Sequence, residues 1–206
     1  CSKGPLMRHS NIALAISGAV VLLASGVWAQ TVSSAAKPEV AWKHHTDAPI
    51  NSSPIVEGAT VYFGGFDSVF YALDIESGKA VWTFRTGGEI RSTAAVAQDR
   101  MFFVSGDGNL YCLDRRSSRK LWAFQTQGEI QYDFADYYHS SPILFGGTVF
   151  FGSGDGNVYA VRSSDGVKLW NFQTGAIVHG TPAIDGGRLF VGSFDGTLYA
   201  LDVETG

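Results

Sequence analysis

The run Tyr71-Ala72-Leu73-Asp74-Ile75-Glu76-Ser77-Gly78-Lys79-Ala80-Val81-Trp82 joins two short alternating apolar stretches through a polar, glycine-containing turn. Alternation broken by a turn is the signature of paired antiparallel strands. The same run returns as Tyr159-Ala160-Val161-Arg162-Ser163-Ser164-Asp165-Gly166-Val167-Lys168-Leu169-Trp170. Outward from these two copies, tryptophans stand at Trp42, Trp82, Trp122 and Trp170, spaced 40, 40 and 48 residues apart. Tyrosines stand at Tyr71, Tyr111, Tyr159 and Tyr199, spaced 40, 48 and 40. Two independent columns share one period and one insertion of eight residues, so the chain is a repeat protein.

Within the first full unit the pattern predicts strands near Ser52–Val56, Thr60–Gly64, Val69–Ile75 and Ala80–Thr86. They are separated by turns at Glu57-Gly58, Phe66-Asp67-Ser68 and Glu76-Ser77-Gly78-Lys79. The second turn recurs as Asp107-Gly108, Asp155-Gly156 and Asp195-Gly196, where a tight hairpin needs residues that tolerate positive φ. Four antiparallel strands per roughly forty residues is the blade of a β-propeller, and no window sustains the 3.6-residue period of a helical solenoid. The predicted fold is therefore all-β, with about four four-stranded blades. The four tryptophans and four tyrosines are assigned to inter-blade packing.

Composition agrees. The 206 residues are 45% hydrophobic, 13% aromatic and 17% charged, which excludes disorder, collagen and coiled coil. The 25 glycines supply the turns. A formal charge of −4 argues against nucleic-acid binding, which needs clustered Lys and Arg. Residues 7–29 carry Arg8, an apolar stretch from Ile12 to Val27, and Val27-Trp28-Ala29, the three-part layout of a secretory signal peptide cleaved before Gln30. The stretch of about 16 apolar residues is shorter than the ~20 of a comfortable membrane span, and no span is expected after its removal. Residues 1–6 lie upstream of Met7, and residues 30–38 read as a tether ahead of the repeats at 39–206. Cleavage removes Lys3 and Arg8 and no acid, leaving 13 basic and 19 acidic residues and a charge of −6. Cys112 is then a single cysteine with no partner for an internal disulfide, so the exported body relies on its core. The expected location is periplasmic or secreted.

The two quoted runs resemble the pyrroloquinoline-quinone (PQQ) type propeller repeat, an A-L-D-x-x-T-G-K-x-x-W tract. Its upstream P-x-x-x-x-G-x-x-(Y/F)-x-G segment is matched by Pro54, Gly58, Tyr62 and Gly64, and again by Pro182, Gly186, Phe190 and Gly192. The second unit departs most, with Ala94 in the proline column and Arg116-Ser117-Ser118-Arg119 in place of the Gly-Lys turn. The resemblance implies one of two functions. Some members are quinoprotein dehydrogenases holding PQQ and calcium on the propeller axis. Others bind no cofactor and act as platforms, as in outer-membrane barrel assembly. The adjacent Cys-Cys pair common in the enzymes has no counterpart in this sequence. The favoured reading is a cofactor-free scaffold for an envelope protein or peptide partner; the alternative is a fragment of a PQQ-dependent alcohol or sugar dehydrogenase.

Val40-Ala41-Trp42-Lys43 matches the outer strand of later units, so the pattern predicts a lone fourth strand, three full blades and three strands of a fourth, sixteen in all. Either the first strand completes the last blade and closes a four-bladed ring, or these are the front blades of a seven- or eight-bladed propeller, the reading that the resemblance favours.

The site candidates fall on one face. Parity of the connections puts the Asp67, Asp107, Asp155 and Asp195 turns at the same end as the blade-to-blade loops. These are turn aspartates first; no D-x-D-x-D-G calcium spacing occurs, and no metal site is assigned. The eight-residue insertion holds Gln131, Tyr132, Asp133, Tyr137, Tyr138 and His139, an aromatic and acidic loop suited either to recognition or to plugging the channel mouth. Nine residues after each tryptophan the column reads Asn51, Arg91, Gln131 and His179. Its variety nominates Arg91, His139 and His179 as the lining of an axial pocket for an anionic ligand or a peptide carboxylate. No catalytic triad is visible. His44 and His45, adjacent on an extended segment, face opposite ways.

Overall fold

A blade forms because its alternating strands have two apolar faces, each of which is buried only when another blade stacks on it. The computed structural model describes residues 37–128 and 139–206. All fifteen strands lie within the unit Val40–Gly206. Blade 1 comprises β1 (Ile55–Glu57), β2 (Thr60–Gly64), β3 (Val69–Asp74) and β4 (Ala80–Arg85). Blade 2 comprises β5 (Ala95–Ala97), β6 (Arg100–Ser105), β7 (Asn109–Asp114) and β8 (Lys120–Gln125). Blade 3 comprises β9 (Ile143–Phe145), β10 (Thr148–Gly152), β11 (Asn157–Arg162) and β12 (Lys168–Gln173). Blade 4 holds β13 (Ala183–Asp185), β14 (Arg188–Gly192) and β15 (Leu198–Asp202). Each sheet is a sequential antiparallel meander, and no described residue is helical. The all-β propeller architecture is the one that the repeat predicts.

The register repeats down to its irregularities. The third and fourth strands slip between Ala72 and Leu73, Cys112 and Leu113, and Ala160 and Val161. Just before each slip the tryptophan lies opposite the small residue of the third strand: Trp82 on Ala72, Trp122 on Cys112 and Trp170 on Ala160. Each tryptophan also reaches forward to the next blade. The indole N–H donates to the carbonyl of Ile75 from Trp42 (2.8 Å), Arg115 from Trp82 (3.0 Å), Ser163 from Trp122 (3.3 Å) and Val203 from Trp170 (3.1 Å).

Three apolar clusters fill the spaces between successive blades. The first joins Tyr62, Phe70 and Ala72 of blade 1 to Met101, Phe103, Tyr111 and Leu113 of blade 2, with Phe70 stacked on Phe103 at 4.3 Å. The second centres on Phe102, Leu110, Val149, Phe151 and Tyr159; the third on Phe150, Val158, Leu189 and Val191. Cys112 is buried in the second, and its burial pushes the thiol up to about 11, an inert core residue.

One predicted element is not a strand. Val40–Lys43 joins no sheet, and blade 4 has three strands, which makes fifteen among the described residues rather than sixteen. The segment keeps the predicted alternation, with Trp42 and His44 turned inward and Lys43 and His45 exposed. A strand is defined by its ladder, and among the described residues none pairs with this segment. Trp42 nevertheless docks on blade 1 as the other tryptophans dock on theirs. The inner strands are also shorter than predicted: β1 begins at Ile55, because Ser52 bonds to Gly64 through its side chain instead of through a backbone ladder.

Candidate functional site

The aspartates of the second turns build the rim of one face. Asp107 Oδ2 accepts the hydroxyl of Tyr111 (2.7 Å) and the backbone N–H of Gly87 from the preceding blade-to-blade loop (2.8 Å), while Oδ1 accepts the N–H of Asn109 (3.1 Å). Asp67, Asp155 and Asp195 repeat this with Tyr71, Tyr159 and Tyr199 and with the loop N–H groups of Asp47, Gln127 and Gly175. One carboxylate thus closes its own hairpin and ties it to the incoming loop. Burial, followed by the hydrogen bond and charge of the aspartate, pushes the Tyr71, Tyr111 and Tyr159 hydroxyls well above the usual phenol range. At the exposed fourth copy, the Tyr199 hydroxyl leads the backbone donors in holding Asp195 down to about 2.

A second polar column runs down the inner edge. Ser52, Ser92 and Ser140 hydroxyls accept from the N–H groups of Gly64, Val104 and Gly152. Ser140 also donates to the Gly180 carbonyl, and neighbouring inner strands are linked from Thr93 N–H to Ser141 Oγ (2.9 Å) and from Ser141 N–H to Thr181 Oγ1 (3.3 Å).

This column fixes where the variable residues sit. The residues immediately before Ser52, Ser92, Ser140 and Gly180 are Asn51, Arg91, His139 and His179. The equivalent of Arg91 is therefore His139 and not Gln131, because the insertion precedes His139 instead of following it. Gln131, Tyr132, Asp133, Tyr137 and Tyr138 lie outside the described residues. The structure brings His139 and His179 together, both buried, with ring centroids 5.8 Å apart. His179 in turn lies edge-on to Phe194 at 5.9 Å. Arg91 pairs with Glu89 at 2.8 Å and lies over the Phe66 ring at 4.8 Å. Glu89, Phe66, Phe194, Ser141 and Thr181 were not among the sequence candidates. The recurring Ser/Gly-Ser/Thr-Pro tripeptide at 52–54, 140–142 and 180–182 is the signal that locates this column.

Among the described residues no three His, Cys, Asp or Glu side chains are grouped to hold a metal ion. The aspartate oxygens that face the rim are already engaged by tyrosine hydroxyls and backbone N–H groups.

Comparison with known proteins bears on the repeat type. The family model described as "Outer membrane protein assembly factor BamB", of the PQQ-like class, matches residues 135–206, covering blades 3 and 4. Residues 135–206 are thus similar to a PQQ-like repeat model, and the rest of the chain shares the propeller fold of the structures below. The crystal structure of BamB from Moraxella catarrhalis superposes with a TM-score of 0.70 at 22% identity, over 80% of this chain and 53% of that one. The computationally designed Ika4 protein superposes at 0.66 and 14% identity, over 82% of this chain and 99% of the designed one. Quinohemoprotein alcohol dehydrogenase from Comamonas testosteroni gives 0.64 and 17%, over 77% of this chain and 34% of the enzyme. The chain spans about half the length of the BamB structure and a third of the dehydrogenase. No curated protein sequence matches the chain.

Proposed function

We propose that this chain is an exported cell-envelope protein whose PQQ-like repeats form a binding or assembly scaffold for a protein or peptide partner. One observation carries the reading. On the face where the blade-to-blade loops emerge, the constant polar residues are consumed in holding blades together, while Arg91, His139 and His179, the positions that vary from blade to blade, sit among Phe66 and Phe194 at the inner edge. Charged and aromatic side chains on a rigid frame are the composition of recognition surfaces. The strand parity read from the sequence assigns the aromatic insertion at 131–139 to the same face as an expectation. BamB is by its name an outer-membrane assembly factor, which agrees with a periplasmic location and an envelope partner. No helix of the described residues is long and apolar enough to cross a membrane.

The test is capture of envelope proteins by the chain, compared with an Arg91→Ala, His179→Ala double variant. The expected result is a partner retained by the first and reduced at least tenfold with the second. Equal capture by both removes the pocket from the reading. Saturable, calcium-dependent binding of PQQ, followed by its absorbance, would overturn the scaffold in favour of the dehydrogenase.

A further inference from the structure

The turns that join first to second and third to fourth strands lie at the end of the blades opposite the aspartate turns, and there each junction between blades forms a groove. At the junction of blades 1 and 2, the half-buried Arg115 of blade 2 crosses it and reaches Glu57 of blade 1 at 4.0 Å. At the junction of blades 2 and 3, Arg100 of blade 2 crosses it, and its Nη1 donates to the carbonyls of Ser163 (2.9 Å) and Ser164 (2.7 Å) of blade 3. An arginine therefore occupies both grooves.

The junction of blades 3 and 4 has the same groove and no arginine in it. The first residue of β10, where β6 has Arg100, is Thr148, and the residue after β15, where blade 2 has Arg115 after β7, is Val203. What remains is a cleft of about 310 Å³ walled by Phe145, Phe150, Leu169 and Val203, with Thr148 and Glu204 as its polar lining. Phe145 stands where blade 1 has Glu57, so the acid of this junction comes from the blade 4 side, and Glu204 makes no ion pair among the described residues. The counterpart of Leu169 at the first junction, Val81, is 57% exposed beside a blade 2 that has all four strands, so a fourth strand on the following blade does not cover this position.

We propose that this cleft takes an arginine side chain presented by a protein partner. Its apolar walls accept the methylene stem and the flat guanidinium, which is weakly hydrated and packs on aromatic rings, while Glu204 supplies the counter-charge that Glu57 supplies at the first junction. A lysine ammonium, compact and strongly hydrated, gains less from such walls. With 15 basic and 19 acidic residues, the chain as a whole also favours approach of a cationic segment. The cleft lies at the other end of the blades from Arg91 and His179, so binding here is independent of that pocket.

The experiment is titration of the isotope-labelled chain with the blocked peptides acetyl-Gly-Arg-Gly-amide and acetyl-Gly-Leu-Gly-amide, read from backbone amide shifts by NMR. The expected result is saturable shifts at Gly146, Thr148, Leu169 and Glu204 with millimolar arginine peptide, and about tenfold weaker binding of the leucine peptide. Glu204→Gln, at an exposed position, is expected to weaken the arginine peptide about fivefold, as for loss of a solvent-exposed ion pair. Thr148→Arg places in the cleft the side chain that blade 2 carries at this position, and should abolish the shifts while the rest of the spectrum stays that of the folded chain. Absence of a saturable shift at the cleft overturns the proposal. So does equal binding of the two peptides, which marks a cleft that selects only apolar bulk, or binding that neither substitution changes.

Discussion

The aspartate of each second turn does three tasks with one carboxylate, and its contribution is readable from protonation. Tyr71, Tyr111 and Tyr159 have hydroxyls whose folded pKa is raised by burial and by the aspartate. A raised value means that the stabilisation is fully present below the ordinary tyrosine range near 10 and is lost as pH climbs through it. The unfolding free energy is therefore expected to hold steady up to about pH 10 and to fall above it. Tyrosinate absorbance should appear together with unfolding instead of before it. Asp195 has the opposite sign. With its folded pKa lowered to about 2, its stabilisation is complete above the ordinary carboxylate range and is lost as pH falls toward 2. Asp195→Asn should flatten that acid limb in a pH series of urea melts. In Tyr159→Phe the ring packing remains and one charge-assisted hydrogen bond of 2.6 Å is lost, which should cost about 1.5 to 3 kcal/mol by urea unfolding.

At the scale of the element, the turn between the third and fourth strands controls how blades approach. Gly78 has φ +66, and a Cβ there would lie 2.5 Å from the Trp42 ring, so the turn must be left-handed and bare for the indole to lie across it. Gly166 and Gly206 present the same surface to Trp122 and Trp170. Blade 2 places Ser118 in this position at φ +58, a conformation that costs a non-glycine residue about 1 to 2 kcal/mol. Gly78→Ala is expected to destabilise by about 2 kcal/mol, whereas Ser118→Gly should stabilise by up to about 1 kcal/mol, both read as shifts of the thermal midpoint. The Gly-Lys turn was legible in the sequence because a left-handed residue leaves a compositional mark. β2 was legible to the residue, since its alternation ends at glycines on both sides. The inner strand was less so: its outer half is held by Ser52, Ser92 and Ser140 side chains, which a period-two pattern does not register. The same serines explain why Gln131 looked equivalent to Arg91. Counting from tryptophan ignores where the insertion enters, while counting from the serine anchor does not. His139 and His179, one repeat apart and nominated together, do meet across adjacent blades, whereas the pairing of Arg91 with Glu89 depends on side-chain direction and left no trace in the spacing.

At the scale of the whole molecule, stability is the sum of blade terms and blade-to-blade terms, as in other repeat arrays. Blades 2 and 3 are covered on both faces by the three inter-blade clusters. Blade 1 is covered on one face and partly capped by Trp42 and His44 on the other; blade 4 has one buried face and an outer side on which Leu198 and Phe194 are 73% and 64% exposed. Local opening should therefore be graded. Amides of β14 and β15 are expected to exchange fastest among the ladder strands, those of β2 and β3 next, and those of β6, β7, β10 and β11 slowest. Each lost blade contact should be worth at least tenfold in exchange rate, about 1.4 kcal/mol of opening free energy. Native-state hydrogen exchange on the chain reads this gradient, with protection of blade 4 reporting its contact with blade 3. Uniform protection across all four blades would mean that the array opens as one cooperative unit and that the blade faces contribute less than the columns of packed rings imply.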